Sequence, residues 1–267
     1  MIRPPAVAGR FYPVDPAALA RSIESHTPEN SAKSAAIACL VPHAGYLYSG
    51  HVAGAVYAAL EIPAHCILLG PRHFPRGAAM AILSGGAWAT PLGEASVDRA
   101  LATGLIRAFP HLREDAVAHE SEHSLEVQLP FLQRLAPGFR FAPIVLAVDR
   151  YPLIEELGRA VARVVAAQPE PVLIVASSDM NHYESDAITR AKDHRALDRL
   201  LALDPRGLYG VVRGEQISMC GYAAAVAMLV AARDLGAQHA ELVRYATSGD
   251  VTGERDEVVG YAGMIFR

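Results

Sequence analysis

A chain of 267 residues, 52% hydrophobic and 19% charged, is long enough to enclose a large core and too apolar to remain disordered. Its formal net charge of −4 offers no electropositive surface, so neither nucleic acid nor an anionic bilayer is an expected partner. The longest apolar stretch, Cys220 to Ala232, stops at Arg233 and is too short to span a membrane.

The opening run, Met1 to Gly9, lacks the apolar segment of a secretory signal, and three widely spaced cysteines are not a disulfide framework. A cytoplasmic protein with reduced thiols is therefore expected. In chain order, Pro16 to Ser25 has helical spacing and Ile37 to Val41 reads as a buried strand. His51 to Leu60 is helical, followed by strands at Cys66 to Leu69 and Ala79 to Leu83. Helical spacing returns at Val97 to Phe109 and Ser124 to Leu135, then a strand at Phe141 to Val148, a helix at Leu153 to Ala167 and a strand at Val172 to Ala176. Helices at Asp186 to Leu203 and Gly221 to Leu235 precede two closing strands, Leu242 to Thr247 and Val258 to Phe266. Alternation of the two types predicts an α/β fold in three layers, with helices on both faces of a mostly parallel or mixed sheet. No linker, repeat or low-complexity tract divides the chain, so residues 1–267 read as one domain.

In such sheets ligands gather where strand ends feed the next helix, and three of these exits carry a histidine. Pro42-His43-Ala44-Gly45-Tyr46, Gly70-Pro71-Arg72-His73 and Ser177-Ser178-Asp179-Met180-Asn181-His182-Tyr183 are the three segments. Imidazole nitrogen and thiolate sulfur suit iron, copper and zinc, so His43, His73 and Cys220 form a candidate metal-ligand set. Cys220 precedes a strong apolar helix, whose dipole is expected to favour the thiolate; a buried packing cysteine is the competing reading. Asp179 and His182 form a candidate acid/base pair, against the alternative of an Asx turn beside an exposed imidazole. His123 and Glu126, one helical turn apart, read as proton carriers or as partners supporting the ligands, or else as part of a capping arrangement with Ser121 or Ser124. His119 is expected at the solvated surface, Cys39 and Cys66 in the core. The turn Thr247 to Gly253 is a weak candidate for the pocket lining.

Taken together, Arg3 to Pro13, the three exit motifs, Glu122 to Pro130, Cys220-Gly221, Ser248 to Gly253 and Val258 to Tyr261 resemble the Memo family, known in bacteria and archaea as AmmeMemoRadiSam system protein B. The resemblance runs along nearly the whole chain. It implies a fold similar to class III extradiol dioxygenases, metal bound at His43, His73 and Cys220, and Asp179 and His182 beside it. It also implies iron(II) or copper ahead of zinc, and a radical S-adenosylmethionine protein of the same pathway as a partner. Arg72 stands at a position usually small in that family, implying a narrower or more positive pocket. Two functions follow as expectations: an iron-dependent, dioxygenase-like oxidoreductase acting on a phenolic substrate, with His182 as proton acceptor, or a copper- or iron-binding redox protein that turns over no small molecule.

Overall fold

Consecutive residues of a strand face opposite sides of its sheet, so strands covered on both faces read as unbroken apolar runs. The computed structural model, which describes residues 1–28 and 32–267, shows this at the centre of the fold. Its elements are β1 (Ile2–Arg3), α1 (Pro16–His26), β2 (Ala38–Val41), α2 (Tyr46–Ala58), β3 (His65–Pro71), β4 (Met80–Ile82), β5 (Ala87–Thr90), β6 (Gly93–Val97), α3 (Arg99–Ala108) and β7 (Arg113–Glu114). A 3₁₀ turn at Glu126–Gln128 leads into α4 (Leu129–Leu135), β8 (Arg140–Leu146), α5 (Tyr151–Ala166), β9 (Val172–Ser177) and β10 (His182–Glu184). The chain closes with α6 (Asp186–Leu201), α7 (Pro205–Gly214), α8 (Tyr222–Asp234), β11 (Ala240–Thr247), α9 (Ser248–Thr252) and β12 (Val258–Phe266).

The strands form one mixed sheet of twelve, with the path β1-β5-β6-β8-β3-β9-β2-β12-β10. Its centre, β8-β3-β9-β2, is parallel; β12 runs antiparallel to β2 and also pairs with β10 and β11. Leu40, Ile67, Leu69, Ile174 and Ala176 belong to one buried cluster with α3, α5 and α8, whereas their neighbours Cys39, Cys66, Leu68 and Val175 belong to another with α1, α2 and α4. Helices thus cover both faces, giving the three layers that the alternation of elements predicts. Among the described residues no helix is long and apolar enough to cross a membrane.

Three local differences from the sequence reading have physical causes. Helix α2 starts at Tyr46, well before His51, because the Tyr46 N–H finds an acceptor in the Phe11 carbonyl at 2.7 Å. The expected Ser124 to Leu135 helix begins as the 3₁₀ turn, since the Glu122 carboxylate takes the N–H groups of His123 and Ser124 at 2.9 and 2.8 Å. Strands β5 and β6 and helix α7 lie in stretches whose glycine and proline content hides their periodicity.

Candidate metal centre

Strands β3, β9 and β2 are neighbours and parallel, so their exits lie side by side at one edge of the sheet. That adjacency brings His73, Asp179 and His43 together from sequence positions far apart. A glycine at the end of β3 is required as well: a Cβ on Gly70 would lie 2.7 Å from Leu125 and 2.8 Å from the Ser124 hydroxyl. Gly221 plays the same part for the fourth segment, because a Cβ there would sit 2.3 Å from the Ser177 carbonyl oxygen. The amino end of α8 can therefore close onto the exit of β9, carrying Cys220 with it.

The result is a cluster of three imidazoles. Ring nitrogens of His43, His73 and His123 all lie within 4.8 Å of one another. Ring centroids are 5.2 Å apart for His43 and His73, 5.6 Å for His43 and His123, and 4.6 Å for the stacked pair His73 and His123. Cys220 Sγ is 3.2 Å from His43 Nε2. The sequence reading placed His123 outside the ligand set; here its ring shares the cluster on equal terms.

Two tautomers are fixed by the hydrogen bonds behind the rings. Ser177 Oγ donates its one proton to the Ser124 carbonyl at 2.7 Å and already accepts from the Gln128 amide at 3.0 Å, so His43 Nδ1, 2.9 Å away, must be the donor to it. His73 Nδ1 donates to Glu122 Oε1 at 2.9 Å, while the His73 backbone N–H binds the other oxygen of the same carboxylate at 2.5 Å. In its neutral form each imidazole therefore carries the free lone pair on Nε2, the state a metal ligand needs, with supporting partners of the kind that orient metal-binding histidines. Burial, then the neighbouring His73, holds His43 well below its ordinary pKa; burial, then His43, takes His123 down to about 4. Burial alone would raise Glu122, but hydrogen bonds from His73 and Ser124 overcome it and bring the carboxyl to about 2.

Other expectations need correction. Cys220 precedes the helix N-cap, Gly221, and burial, reinforced by the Asp179 carboxylate, pushes its thiol up rather than down. A thiolate there requires a cation beside it. Asp179 does not orient His182: its Oδ1 accepts from the His43 backbone N–H at 2.7 Å, and His182 Nδ1 is buried with no hydrogen-bond partner among the described residues. His123 and Glu126 do not act as a pair, because Glu126 accepts from Arg3 at 2.6 Å, from Tyr12 at 2.7 Å and from the Ala6 and Val7 N–H groups. His119 is fully buried, edge-on to Trp88 at 5.5 Å, and burial followed by Arg3 lowers it to about 3. Arg72 is outside the lining of the main cavity and donates instead to the carbonyls of Arg76, Gly77 and Ala78. The Thr247 to Gly253 segment also lies outside that lining, forming α9 with a capping box between Thr247 and Asp250.

A cavity of about 660 Å³ opens in front of the cluster, lined by His43, His73, His123, Asp179, His182 and Cys220 together with aromatic residues. Phe11 stands edge-on to His123 at 4.8 Å, and Tyr261 reaches the cavity from β12. Residues the sequence reading did not assign are Glu122, Ser177 and Tyr261. Only Glu122 left a trace, in the density of acid and imidazole before α4.

The model of the family described as Memo-like protein matches residues 3–265. A MEMO1 family protein of Methanopyrus kandleri is 40% identical, the alignment covering 100% of this chain and 99% of that one. One from Methanothermobacter thermautotrophicus is also 40% identical (99% and 100% covered), and one from Aquifex aeolicus is 42% identical (99% of each). Among solved structures, an uncharacterized protein of Escherichia coli K12 superposes with a TM-score of 0.56 at 12% identity, covering 85% of this chain and 98% of that one, which is a likeness of fold alone. With the match extending from β1 to β12 and across every segment that meets at the imidazole cluster, this chain belongs to the Memo family.

Proposed function

We propose that the chain is a metal-binding oxidoreductase of dioxygenase-like chemistry, holding iron(II) or copper through His43, His73 and Cys220, with His123 as a further imidazole donor. The observation that carries this reading is the pair of fixed tautomers. Ser177 and Glu122 hold the Nδ1 protons of His43 and His73, so that the neutral rings carry their free lone pairs on Nε2, and the Cys220 sulfur lies 3.2 Å from the Nε2 of His43. Imidazoles with one thiol fit a borderline or soft ion and do not fit magnesium or calcium, which take oxygen donors. A bound iron(II) or copper ion would supply redox chemistry and Lewis acidity toward a phenolic oxygen and dioxygen.

The chain's own side chains do the rest. Phe11 and Tyr48 provide aromatic walls that seat a planar molecule and limit water. His182, whose side chain makes no hydrogen bond within the described residues, accepts the proton of a phenolic substrate. Asp179, its carboxyl pKa pushed up by burial, secures the His43 backbone by accepting its N–H at 2.7 Å.

The copper-binding redox reading without turnover is favoured by one contact, the thiol 3.2 Å from His43 Nε2. Thiolate is softer and more easily oxidised than the carboxylate usual at ring-opening iron sites. Anaerobic loading with iron(II) or copper(I), followed by oxygen uptake over a panel of catechols, separates the two. Uptake with the iron form, lost in His182→Ala while metal stays bound, supports the oxidoreductase. Tight copper(I) binding that disappears in Cys220→Ser, with no uptake for any catechol, rejects it in favour of the redox protein.

A further inference from the structure

Buried tyrosine hydroxyls in this protein are committed to protein partners. Tyr12 donates to Glu126 at 2.7 Å, Tyr46 to the Val127 carbonyl at 2.8 Å and Tyr57 to Gln128 at 3.0 Å; the half-buried Tyr245 donates to Asp193 at 2.7 Å. Tyr261 breaks this pattern. It is only 2% exposed and its ring packs in a small cluster with Val52 and Ala246, yet its hydroxyl has no hydrogen-bond partner among the described residues. Its oxygen is not one of the orphaned atoms sealed away from solvent, and Tyr261 lines the 660 Å³ cavity. The ring is thus held by the core while the hydroxyl remains open to whatever fills the cavity.

A hydroxyl open to the cavity can be met by water there, and a molecule that displaces that water without supplying an acceptor leaves it unpaired at a cost of about 1–3 kcal/mol. Functional sites tolerate an open hydroxyl where a ligand atom completes the bond, and such groups discriminate strongly against molecules lacking that atom. Tyr261 sits on β12 two residues after Val259, which pairs with His182 of β10. The strand register therefore puts one spare O–H donor and one spare imidazole in the lining of the same cavity.

We propose that Tyr261 is the ligand-anchoring donor of this cavity, its phenolic O–H binding the acceptor oxygen of a phenolic molecule seated before the imidazoles. This rests on the cavity reading above but on no particular metal. The test is equilibrium binding of 4-nitrocatechol, followed by its visible absorbance, to wild type and Tyr261→Phe, each metal-free and loaded with zinc. Metal affinity is measured separately by calorimetry. Phenylalanine preserves the packing against Val52 and Ala246, so the variant should melt no lower than wild type and bind zinc equally well. Its affinity for 4-nitrocatechol should fall tenfold or more in the loaded protein. Equal 4-nitrocatechol affinity in the two proteins overturns the proposal, as does absence of binding to wild type in both states. A melting temperature several degrees lower also overturns it, since the hydroxyl would then be structural. Loss of zinc binding in wild type itself defeats the metal reading instead, and the metal-free comparison still decides the role of Tyr261.

Discussion

Two buried glutamates, four residues apart, lead opposite lives. Glu126 is fully buried and faces a guanidinium: Arg3 pairs with it at 2.6 Å, and Tyr12 and two backbone N–H groups complete its shell. Glu122 is equally buried, but Arg3 reaches only its backbone carbonyl, at 2.6 Å; its carboxylate is satisfied by the His73 imidazole and by the N–H groups of His73, His123 and Ser124. The first ties the amino-terminal segment to the body of the protein. The second turns an imidazole toward the cavity, where the proposed metal ion would match its charge. One segment thus contains a structural carboxylate and a site-orienting one, and only their partners distinguish them.

That contrast can be broken most forcefully at Glu126. Glu126→Ala strands Arg3 in the interior, and unfolding by urea should show a loss of about 3–5 kcal/mol. A third buried carboxylate sharpens the comparison. Asp193 accepts from Tyr245 and the Asn181 N–H, and burial outweighs both donors and raises it to about 7. Its folded-state pKa lies above the unfolded one, so its stabilising contribution is complete below about pH 4 and disappears as pH rises through about 7. Glu122 has the reverse sign: held at about 2, it contributes fully above its ordinary value of 4.5 and loses that contribution as pH falls toward 2. Both neutral variants should therefore track wild type at low pH and diverge with opposite signs as pH rises: Glu122→Gln becomes the less stable protein between about pH 2 and 4.5, and Asp193→Asn the more stable one between about pH 4 and 7. The Asp193 difference reaches a few kcal/mol, at about 1.4 kcal/mol per pH unit.

Glu122→Gln should also weaken metal binding by about 10–100-fold in a calorimetric titration, as loss of a supporting hydrogen-bond partner does, while Glu126→Gln leaves the affinity of the folded fraction within about twofold. Arg72→Ala should have the smallest effect. Its hydrogen bonds hold only the loop at residues 76–78, so a loss of about 1 kcal/mol and unchanged metal affinity are expected. A large change in affinity would return Arg72 to the cavity.

The central strands and most helices were legible because full burial writes uninterrupted apolar runs, as at Ile37 to Val41 and Val172 to Ala176. His43, His73, Asp179, His182 and Cys220 were legible as a group because parallel-strand exits are where side chains are free to gather. What the sequence could not reveal is which side of a residue faces what. His119 and His123 sit in one polar-looking segment, yet one is sealed against Trp88 and the other joins the cluster. Ser177 and Tyr261 lie within motifs legible in the sequence but carried no legible role of their own, for a different reason: each ends or lies within an apolar strand, and its role depends on partners from other parts of the chain.

His43 and Cys220 are separated by 177 residues, and β12, which completes the pairing of β2, follows both of them along the chain. During translation the three imidazoles emerge from the ribosome long before the sulfur, and β2 lacks one neighbouring strand until β12 has been made. A nascent or truncated chain can offer histidines to a metal but not the finished pocket. Under the proposed function, the full donor set exists only once Cys220 has been made and the amino end of α8 has closed onto the exit of β9.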